Sequence, residues 1–211
     1  MKLVFLGCNR DYSKKGSEIV KSMASELTIS HTKNNKLINF PEQYDLGIAL
    51  GYMHLVPKDE LNKATWINIH PAPLPKYGGR NVAYHAIMNQ ENYYGATIHY
   101  MNEFFDKGDV ISVKRFQMHN GITAKELYDR ACDYSIELLK EYLPKIINKE
   151  KIDSIKQNGH NYYKKSKLND FIEVPEATKR KICALYYPPH YPKIKVGDKV
   201  FQIKIVEEKS V

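Results

Sequence analysis

Short apolar runs alternate with amphipathic stretches along the first two thirds of the chain. Apolar runs bounded by polar residues or glycine are typical of buried strands, whereas apolar positions three or four residues apart predict helices. On these grounds we predict strands at residues 2–7, 27–30, 45–51, 65–70, 95–101 and 110–118. Helices are predicted between them at residues 17–24, 57–61 and 81–89. The alternation predicts an α/β, Rossmann-like fold with a mostly parallel sheet and helices on both faces.

A long helix is predicted after these elements. The sequence Thr123-Ala-Lys-Glu126 has the form of a capping box, and apolar residues then recur at helical spacing to about Ile147. Beyond residue 148 lysine, tyrosine and proline dominate, but residues 194–206 are typical of a β-hairpin with its turn at Gly197-Asp198. We therefore predict a main domain at residues 1–150 and a small C-terminal extension with a β-hairpin at residues 151–211.

Charge is spread unevenly along the chain. The net charge is +8, and residues 1–113 hold 12 basic and 11 acidic side chains, against 20 and 13 in residues 114–211. A basic half indicates an anionic partner such as phosphates, nucleic acid or a membrane surface, although a solvated lysine-rich surface has the same composition. No apolar run approaches the roughly 18 residues that a membrane span needs, so we expect no contact with the membrane interior.

The cysteines and the N-terminus bear on the cell compartment. Cys8, Cys132 and Cys183 lie far apart and follow no pairing pattern, which favours a reduced, cytoplasmic protein without disulfides. The apolar stretch after Met1 is too short for a signal peptide and is predicted to be the first strand. No set of histidine, cysteine and carboxylate residues has the spacing of metal ligands, so no metal is expected.

The most informative stretch runs from Asn68 to Gly79. Asn68 and His70 lie at the end of a predicted strand and, two residues apart, point to the same face. Pro71, Pro73 and Pro75 cannot continue a central strand because they lack the N–H that the ladder needs. A polar pair at the carboxyl end of a strand is where open α/β sheets build their sites.

Two motifs together carry a family resemblance. Residues 68–79, NIHPAPLPKYGG, followed by FFDKGDVI at residues 104–111, resemble the folate-dependent formyltransferases. The resemblance extends from about Gly51 to Ile111, and the order of elements fits it over residues 1–147. It implies a catalytic set of Asn68, His70 and Asp106, an enzyme that uses 10-formyltetrahydrofolate as cosubstrate, and no metal.

The chemistry that the resemblance implies suits these three residue types. Formyl transfer to an amine builds negative charge on a carbonyl oxygen, and hydrogen-bond donors such as the Asn68 amide stabilise that charge. The attacking amine must lose a proton, and the imidazole of His70 is suited to exchange protons near neutral pH. Asp106 would hold the imidazole and favour its charged form. Taken singly, each has a plainer interpretation, because Asn and Asp are common in turns and a strand-end histidine is often structural.

Further residues are assigned by the same resemblance. Tyr52, Met53 and Gly108 are candidates for binding the folate. A flexible glycine pair flanked by cations can meet a diphosphate, which makes Lys76, Gly78, Gly79 and Arg80 candidates for binding the acceptor substrate. Aromatic rings can stack on a nucleobase, and the candidates for that role are Tyr162, Tyr163, Tyr186 and Tyr187. A plain loop and ordinary core packing are the alternatives for these positions.

The family resemblance leaves three classes of acceptor. The HPAPLP form at residues 70–75 looks most like the sugar N-formyltransferases, which act on a nucleotide-linked (dTDP, UDP or GDP) amino sugar for surface polysaccharide such as lipopolysaccharide O-antigen. The alternatives are a glycinamide ribonucleotide formyltransferase of purine synthesis and a methionyl-tRNA formyltransferase-like enzyme. We expect the tail to be too short for the tRNA-binding domain of the latter.

Two non-enzymatic hypotheses also stand beside these. A degenerate domain that only binds folate or a nucleotide would not need Asn68, His70 and Asp106 together. A nucleic-acid-binding protein is suggested by charge alone, and the sequence has no recognition motif for it. The partners we expect are folate and a nucleotide-linked amino sugar, with nucleic acid disfavoured. An exposed edge of the predicted hairpin also favours a homodimer.

Overall fold

The computed structural model carries side chains and describes most of the chain. The described residues are 1–31, 39–159, 161–164, 174–187, 189 and 191–204.

Strands and helices alternate up to the long fourth helix. The strands are β1 (Lys2–Gly7), β2 (Glu26–His31), β3 (Leu46–Leu50), β4 (Thr65–His70), β5 (Gly78–Gly79), β6 (Tyr93–Tyr100), β7 (Val110–Gln117), β8 (Tyr162–Tyr163), β9 (Lys193–Val196) and β10 (Lys199–Gln202). The helices are α1 (Asp11–Lys21), α2 (Lys58–Lys63), α3 (Val82–Met88), α4 (Ala124–Ile147) and α5 (Glu176–Leu185).

Six strands form one central sheet in the order β2-β1-β3-β4-β6-β7. The first four are parallel to their neighbours, whereas β6 runs antiparallel to β4 and β7 runs antiparallel to β6. The predicted α/β fold with a mostly parallel sheet is confirmed, and the antiparallel pair at one edge is the part that the apolar pattern does not reveal. The loop between β6 and β7 therefore starts beside the amino-terminal half of β4, where Tyr100 pairs with Ile67 and the Met101 N–H donates to the Trp66 carbonyl.

Apolar side chains cover both faces of the sheet. Leu3 and Phe5 of β1 belong to a core that includes Val20 of α1 and Leu139 of α4. The alternate residues Val4 and Leu6 face a second core with Val56 and Trp66, against which Leu61 of α2 packs. Helices therefore lie on both faces, as predicted, because consecutive strand residues point to opposite sides of a sheet.

The first helix corrects one sequence-based expectation. The sequence pattern predicts this helix at residues 17–24, yet α1 begins at Asp11. Ser13 is buried and donates from Oγ to the Leu50 carbonyl at 2.8 Å. A Cβ on Gly16 would lie 2.3 Å from Leu50 Cδ2, so the helix approaches β3 closely at this glycine. Serine and glycine favour turns when only the local sequence is considered, but as small residues in α1 they allow the helix to pack closely on the sheet.

Two other helices differ in detail from the sequence-based expectation. Pro57 is the N-cap of α2 and not its first helical residue. Helix α5 was not predicted, and none of its residues is buried. By contrast, the capping box of α4 is confirmed: Thr123 Oγ1 accepts from the Glu126 N–H at 3.3 Å, and Glu126 Oε2 accepts from the Thr123 N–H at 2.9 Å.

The chain divides into two compact units, Met1–Met118 with Ile122–Ser166, and His119–Gly121 with Lys167–Val211. The second unit contains α5 and the predicted hairpin, in which β9 and β10 pair antiparallel. Its second strand was expected to reach residue 206, and residues 205–206 lie outside the described part of the chain. The domain boundary at residue 150 stays a prediction. None of the helices in the described residues is long and apolar enough to cross a membrane.

Candidate active site

Strand β4 ends in the predicted Asn68–His70 pair. Across the antiparallel β4–β6 ladder, Asn68 is paired with His99 and His70 with Thr97. The buried Thr97 hydroxyl donates to the Ala72 carbonyl at 2.7 Å and accepts from the Leu74 N–H at 3.0 Å. This hydroxyl ties the proline-rich segment to β6, because the prolines themselves cannot donate to a ladder.

Asp106 joins the pair from the loop between β6 and β7. Its Oδ1 accepts from Asn68 Nδ2 at 3.3 Å and lies 3.6 Å from His70 Nδ1, while its Oδ2 accepts from the Gly79 N–H at 2.8 Å. The Asp106 backbone has φ 55°, in the left-handed region that non-glycine residues seldom adopt. The structure thus brings together the three residues that the resemblance assigned to catalysis.

The tautomer of His70 follows from its buried partner. His70 Nε2 lies 2.8 Å from the Tyr77 carbonyl, and a carbonyl can only accept, so Nε2 carries a proton. Nδ1, which faces Asp106, is the nitrogen that can gain or lose a proton. The His70 side chain is only 9% exposed, so the ring is held in place by its surroundings.

His99 is a site residue that the sequence analysis did not single out. Its Nδ1 donates to the Tyr100 carbonyl at 2.7 Å, which leaves Nε2 to accept from Asn68 Nδ2 at 3.0 Å. His99 Nε2 also lies 3.9 Å from Asp106 Oδ1. These contacts fix which end of the Asn68 amide faces Asp106. A polar residue in the apolar strand β6 was the available signal, but only the strand register places it opposite Asn68.

The glycine candidates lie beside Asp106. The Gly78 N–H donates to the Asn161 carbonyl at 3.0 Å, the Gly79 N–H holds Asp106, and the short strand β5 pairs with β8. A Cβ on Gly108 would lie 1.8 Å from the Tyr100 carbonyl oxygen. Close backbone approach is therefore a sufficient physical reason for glycine at position 108, while its folate-binding role stays a prediction.

Replacing Gly79 by alanine is expected to destabilise the site. The new Cβ would lie 2.2 Å from the Tyr163 carbonyl oxygen, and the backbone φ of 98° is unfavourable for a side chain. Gly159 is a matched control, because it has φ 80° and nothing within 4 Å of the added Cβ. Thermal unfolding should show a larger loss of Tm for Gly79→Ala than for Gly159→Ala. Equal losses of Tm in the two variants would mean that the Tyr163 backbone moves away from the new Cβ at little cost in stability.

The two cations predicted to meet a diphosphate have protein partners. Lys76 Nζ lies 2.6 Å from Glu91 Oε1. Burial raises the pKa of Glu91, but hydrogen bonds from Lys76 and Tyr77 outweigh it, and the net pKa is lowered. Arg80 Nη2 donates to the Met53 carbonyl at 3.1 Å. Arg80 therefore links the glycine pair to the loop predicted to bind folate, whereas Lys76 is held by a carboxylate.

The folate-loop candidates differ in exposure. Met53 is 47% exposed, while burial raises the pKa of the Tyr52 phenol. The Tyr52 ring meets His54 edge-on, with centroids 5.4 Å apart. An exposed methionine presents apolar surface that a flat ring could cover, and the folate role of both residues stays a prediction.

The four tyrosine candidates fall into two groups. Tyr163 stacks on His85 and on Tyr77, whose ring centroids lie 4.2 and 5.6 Å from its own. These contacts assign the ring to packing within the protein. Tyr162 is 42% exposed, and its ring lies 6.2 Å from that of Phe105. Tyr186 and Tyr187 belong to the second unit, and their nucleobase role stays a prediction. Within the described residues, no cluster of three or more His, Cys, Asp or Glu could hold a metal ion.

Comparison with curated proteins gives relatives of greater length. A methionyl-tRNA formyltransferase from Wolbachia pipientis is 30% identical over 184 residues, which cover 84% of this chain and 58% of that protein. The chain spans about half the length of the curated relatives it matches.

The solved structures with a similar fold include formyltransferases crystallised with nucleotide sugars. An N-formyltransferase from Helicobacter canadensis, crystallised with folinic acid and dTDP-3-aminofucose, is 25% identical with a TM-score of 0.72 over 82% of this chain and 75% of that chain. A formyltransferase from Anoxybacillus kamchatkensis, crystallised with UDP-4,6-dideoxy-4-formamido-L-AltNAc and tetrahydrofolate, shares the fold at 24% identity. Its TM-score is 0.64 over 89% of this chain and 93% of that chain.

A family model described as formyl transferase matches residues 13–143. The match includes β4, the proline-rich segment and the Asp106 loop, which together hold the site geometry described above. On this match the chain belongs to the formyl transferase family.

Proposed function

We propose that the protein moves a formyl group from 10-formyltetrahydrofolate to the amine of a nucleotide-linked amino sugar. The observation that carries this proposal is the convergence of Asn68, His70 and Asp106 at the carboxyl end of β4. The similarity to the Helicobacter canadensis enzyme, which was crystallised with a nucleotide-linked amino sugar, supports the choice of acceptor. Such a sugar would be made in the cytoplasm for a surface polysaccharide such as O-antigen.

The three residues take distinct roles in this proposal. His70 Nδ1 accepts the proton that the attacking amine loses and gives it to the folate nitrogen when the bond between that nitrogen and the formyl carbon breaks. The Tyr77 carbonyl accepts a hydrogen bond from the other ring nitrogen, Nε2. Asp106 stabilises the charged imidazole that results. Asn68 Nδ2 has both hydrogens directed at protein atoms, so a developing oxyanion must replace one of these bonds. The 3.3 Å bond to Asp106 is the longer of the two and the easier to exchange.

The cosubstrate would supply the formyl group and bind at the loop that contains Tyr52 and Met53. Gly108, two residues after Asp106 in the sequence, is a further proposed contact. Met53 and Leu55 are about half exposed, and apolar side chains exposed on a loop offer surface for a flat heterocycle. Arg80 fixes the Met53 carbonyl from the glycine loop. The residues of this loop therefore fit the folate cosubstrate that the family uses.

The acceptor would bind beside the glycine pair. Arg80 and the backbone at Gly78 and Gly79 are the proposed contacts for a diphosphate, although Asp106 already occupies the Gly79 N–H. Lys76 would have to leave Glu91 to take part. Tyr186 and Tyr187 remain proposed contacts for the nucleobase.

A second candidate function is formylation of methionyl-tRNA. The observation that favours it is the 30% identity with the Wolbachia pipientis enzyme across 84% of this chain. The two functions share the chemistry at Asn68, His70 and Asp106, so the acceptor alone separates them. Formylation of glycinamide ribonucleotide uses the same three residue types and is a third outcome of the same assay.

The test is a formyl-transfer assay with 10-formyltetrahydrofolate that follows tetrahydrofolate release. The acceptors are nucleotide-linked 3-amino and 4-amino sugars, with glycinamide ribonucleotide and methionyl-tRNA beside them. Turnover of an amino sugar, and of neither other acceptor, is the expected result. Turnover confined to methionyl-tRNA or glycinamide ribonucleotide would overturn the proposed acceptor but keep the chemistry. Light scattering on the same sample tests the expected homodimer.

A further inference from the structure

The chain that follows α4 runs along the loop that holds Asp106 and along the segment that follows His70. Ile155 exchanges two backbone hydrogen bonds with Val110, both 2.8 Å long. Farther along, the Asn161 N–H donates to the Pro75 carbonyl at 3.1 Å, and the Tyr163 carbonyl accepts from the Arg80 N–H at 2.8 Å. We call residues 155–159 and 161–163 the strap.

One side chain of the strap bonds directly to the Asp106 loop. Gln157 Nε2 donates to the Asp106 carbonyl at 2.8 Å and to the Gly108 carbonyl at 2.7 Å. Because both partners are acceptors, the amide nitrogen and not its oxygen must face them. The two hydrogens of one amide group thus bridge the carbonyls on either side of Lys107.

This bridge supports a backbone that is unfavourable by itself. Asp106 has φ 55°, and a non-glycine residue in that region costs free energy that its surroundings must offset. The direction of the Asp106 carboxylate depends on that backbone. A change of backbone at Asp106 would move Oδ1 away from Asn68 and His70, which it now approaches at 3.3 and 3.6 Å.

The strap also determines the position of the group that binds the other carboxylate oxygen. Gly79 donates its N–H to Asp106 Oδ2 at 2.8 Å, and Gly78–Gly79 pairs with Tyr162–Tyr163 of the strap. Tyr163 is anchored in turn by its stack between His85 and Tyr77. Asp106 is therefore held at its backbone and at its carboxylate by the same segment.

We propose that the strap sets the position of Asp106, and that Gln157 is the positioning residue within it. The proposal rests on the proposed function, because Asp106 is placed in the formyl-transfer site there. A neutral amide suits this role, since it donates two hydrogen bonds without adding a charge beside the Asp106 carboxylate. A lysine or arginine at this position would instead compete for that carboxylate.

The test compares Gln157→Ala and Gln157→Glu with wild type. Glutamate nearly matches glutamine in size, but an ionised carboxylate cannot donate to the two carbonyls. We expect kcat to fall about 10- to 100-fold in both variants, as for displacement of a catalytic group by about 1 Å, with KM within about twofold because substrate contacts remain. Gln117→Ala removes an exposed glutamine of β7 and should leave kcat unchanged.

Hydrogen exchange supplies a readout that does not need turnover. Amides at residues 104–110 should exchange faster in Gln157→Ala than in Gln117→Ala, because the Asp106 loop loses its bridge. Unchanged exchange there, or kcat within twofold of wild type, would overturn the proposal. A Gln157→Glu variant with wild-type kcat would assign the residue to packing and overturn it as well. If wild type turns over no acceptor, the proposed function fails while the exchange comparison still decides the role of Gln157.

Discussion

Replacing His70 by alanine should lower kcat for formyl transfer by about 10²- to 10⁴-fold, the usual contribution of a positioned acid–base group. His70 Nδ1 is the ring nitrogen left to exchange a proton, because Nε2 is committed to the Tyr77 carbonyl. Water in the space left by the ring would be neither oriented nor basic enough to replace it. The measurement is kcat and KM with the acceptor identified in the panel above.

An exposed histidine provides the control for this change. His119→Ala alters a surface ring and should leave kcat within about twofold of wild type, as most surface substitutions have little effect. Added imidazole should restore part of the activity of His70→Ala if proton exchange is what the variant lacks. A His70→Ala enzyme within threefold of wild type would remove His70 from the mechanism.

Replacing Asp106 by asparagine should have an effect at least as large. The carboxylate accepts at Oδ2 from the Gly79 N–H and at Oδ1 from Asn68 Nδ2. An amide has one acceptor oxygen, so its NH₂ group would face one of these donors, and an unpaired donor in a largely buried site is costly. The negative charge that favours a protonated His70 is also lost. In a serine-protease triad the same change lowers kcat by about 10⁴, and we expect a loss between about 10² and 10⁴ here.

Asp109 offers a matched control in the same loop. Its side chain is exposed, so Asp109→Asn makes the same change of charge three residues away without touching Asn68 or Gly79. We expect its kcat and Tm to stay near those of wild type, while Asp106→Asn loses activity and, because a donor is left unpaired, also loses some Tm. If both variants lose activity alike, the net charge of the loop matters and the specific contacts of Asp106 do not.

Local patterns along the chain are enough to predict the six strands of the central sheet, and with the family resemblance they point to the three residues proposed for catalysis. Buried strands such as β4 are short apolar runs, and such runs can be recognised in the sequence without knowing which strands pair with one another. The capping box at Thr123 is likewise local, since its two hydrogen bonds join residues three apart. Asn68 and His70 could be predicted to point to the same face because residues two apart on a strand do so. Asp106 could be added because the family resemblance extends over both motifs.

The residues that surround these three could not be predicted before the fold was known. His99 reaches Asn68 because β6 pairs antiparallel with β4 in one register, and register depends on packing across the whole sheet. Gln157 reaches the Asp106 loop from a segment whose composition carries no periodic signal, through contacts between residues about fifty positions apart. Lys76 looked like a phosphate-binding cation in sequence, yet Glu91 lies 2.6 Å from it. Such long-range contacts depend on how the chain returns on itself, which local patterns of hydrophobic and polar residues do not encode.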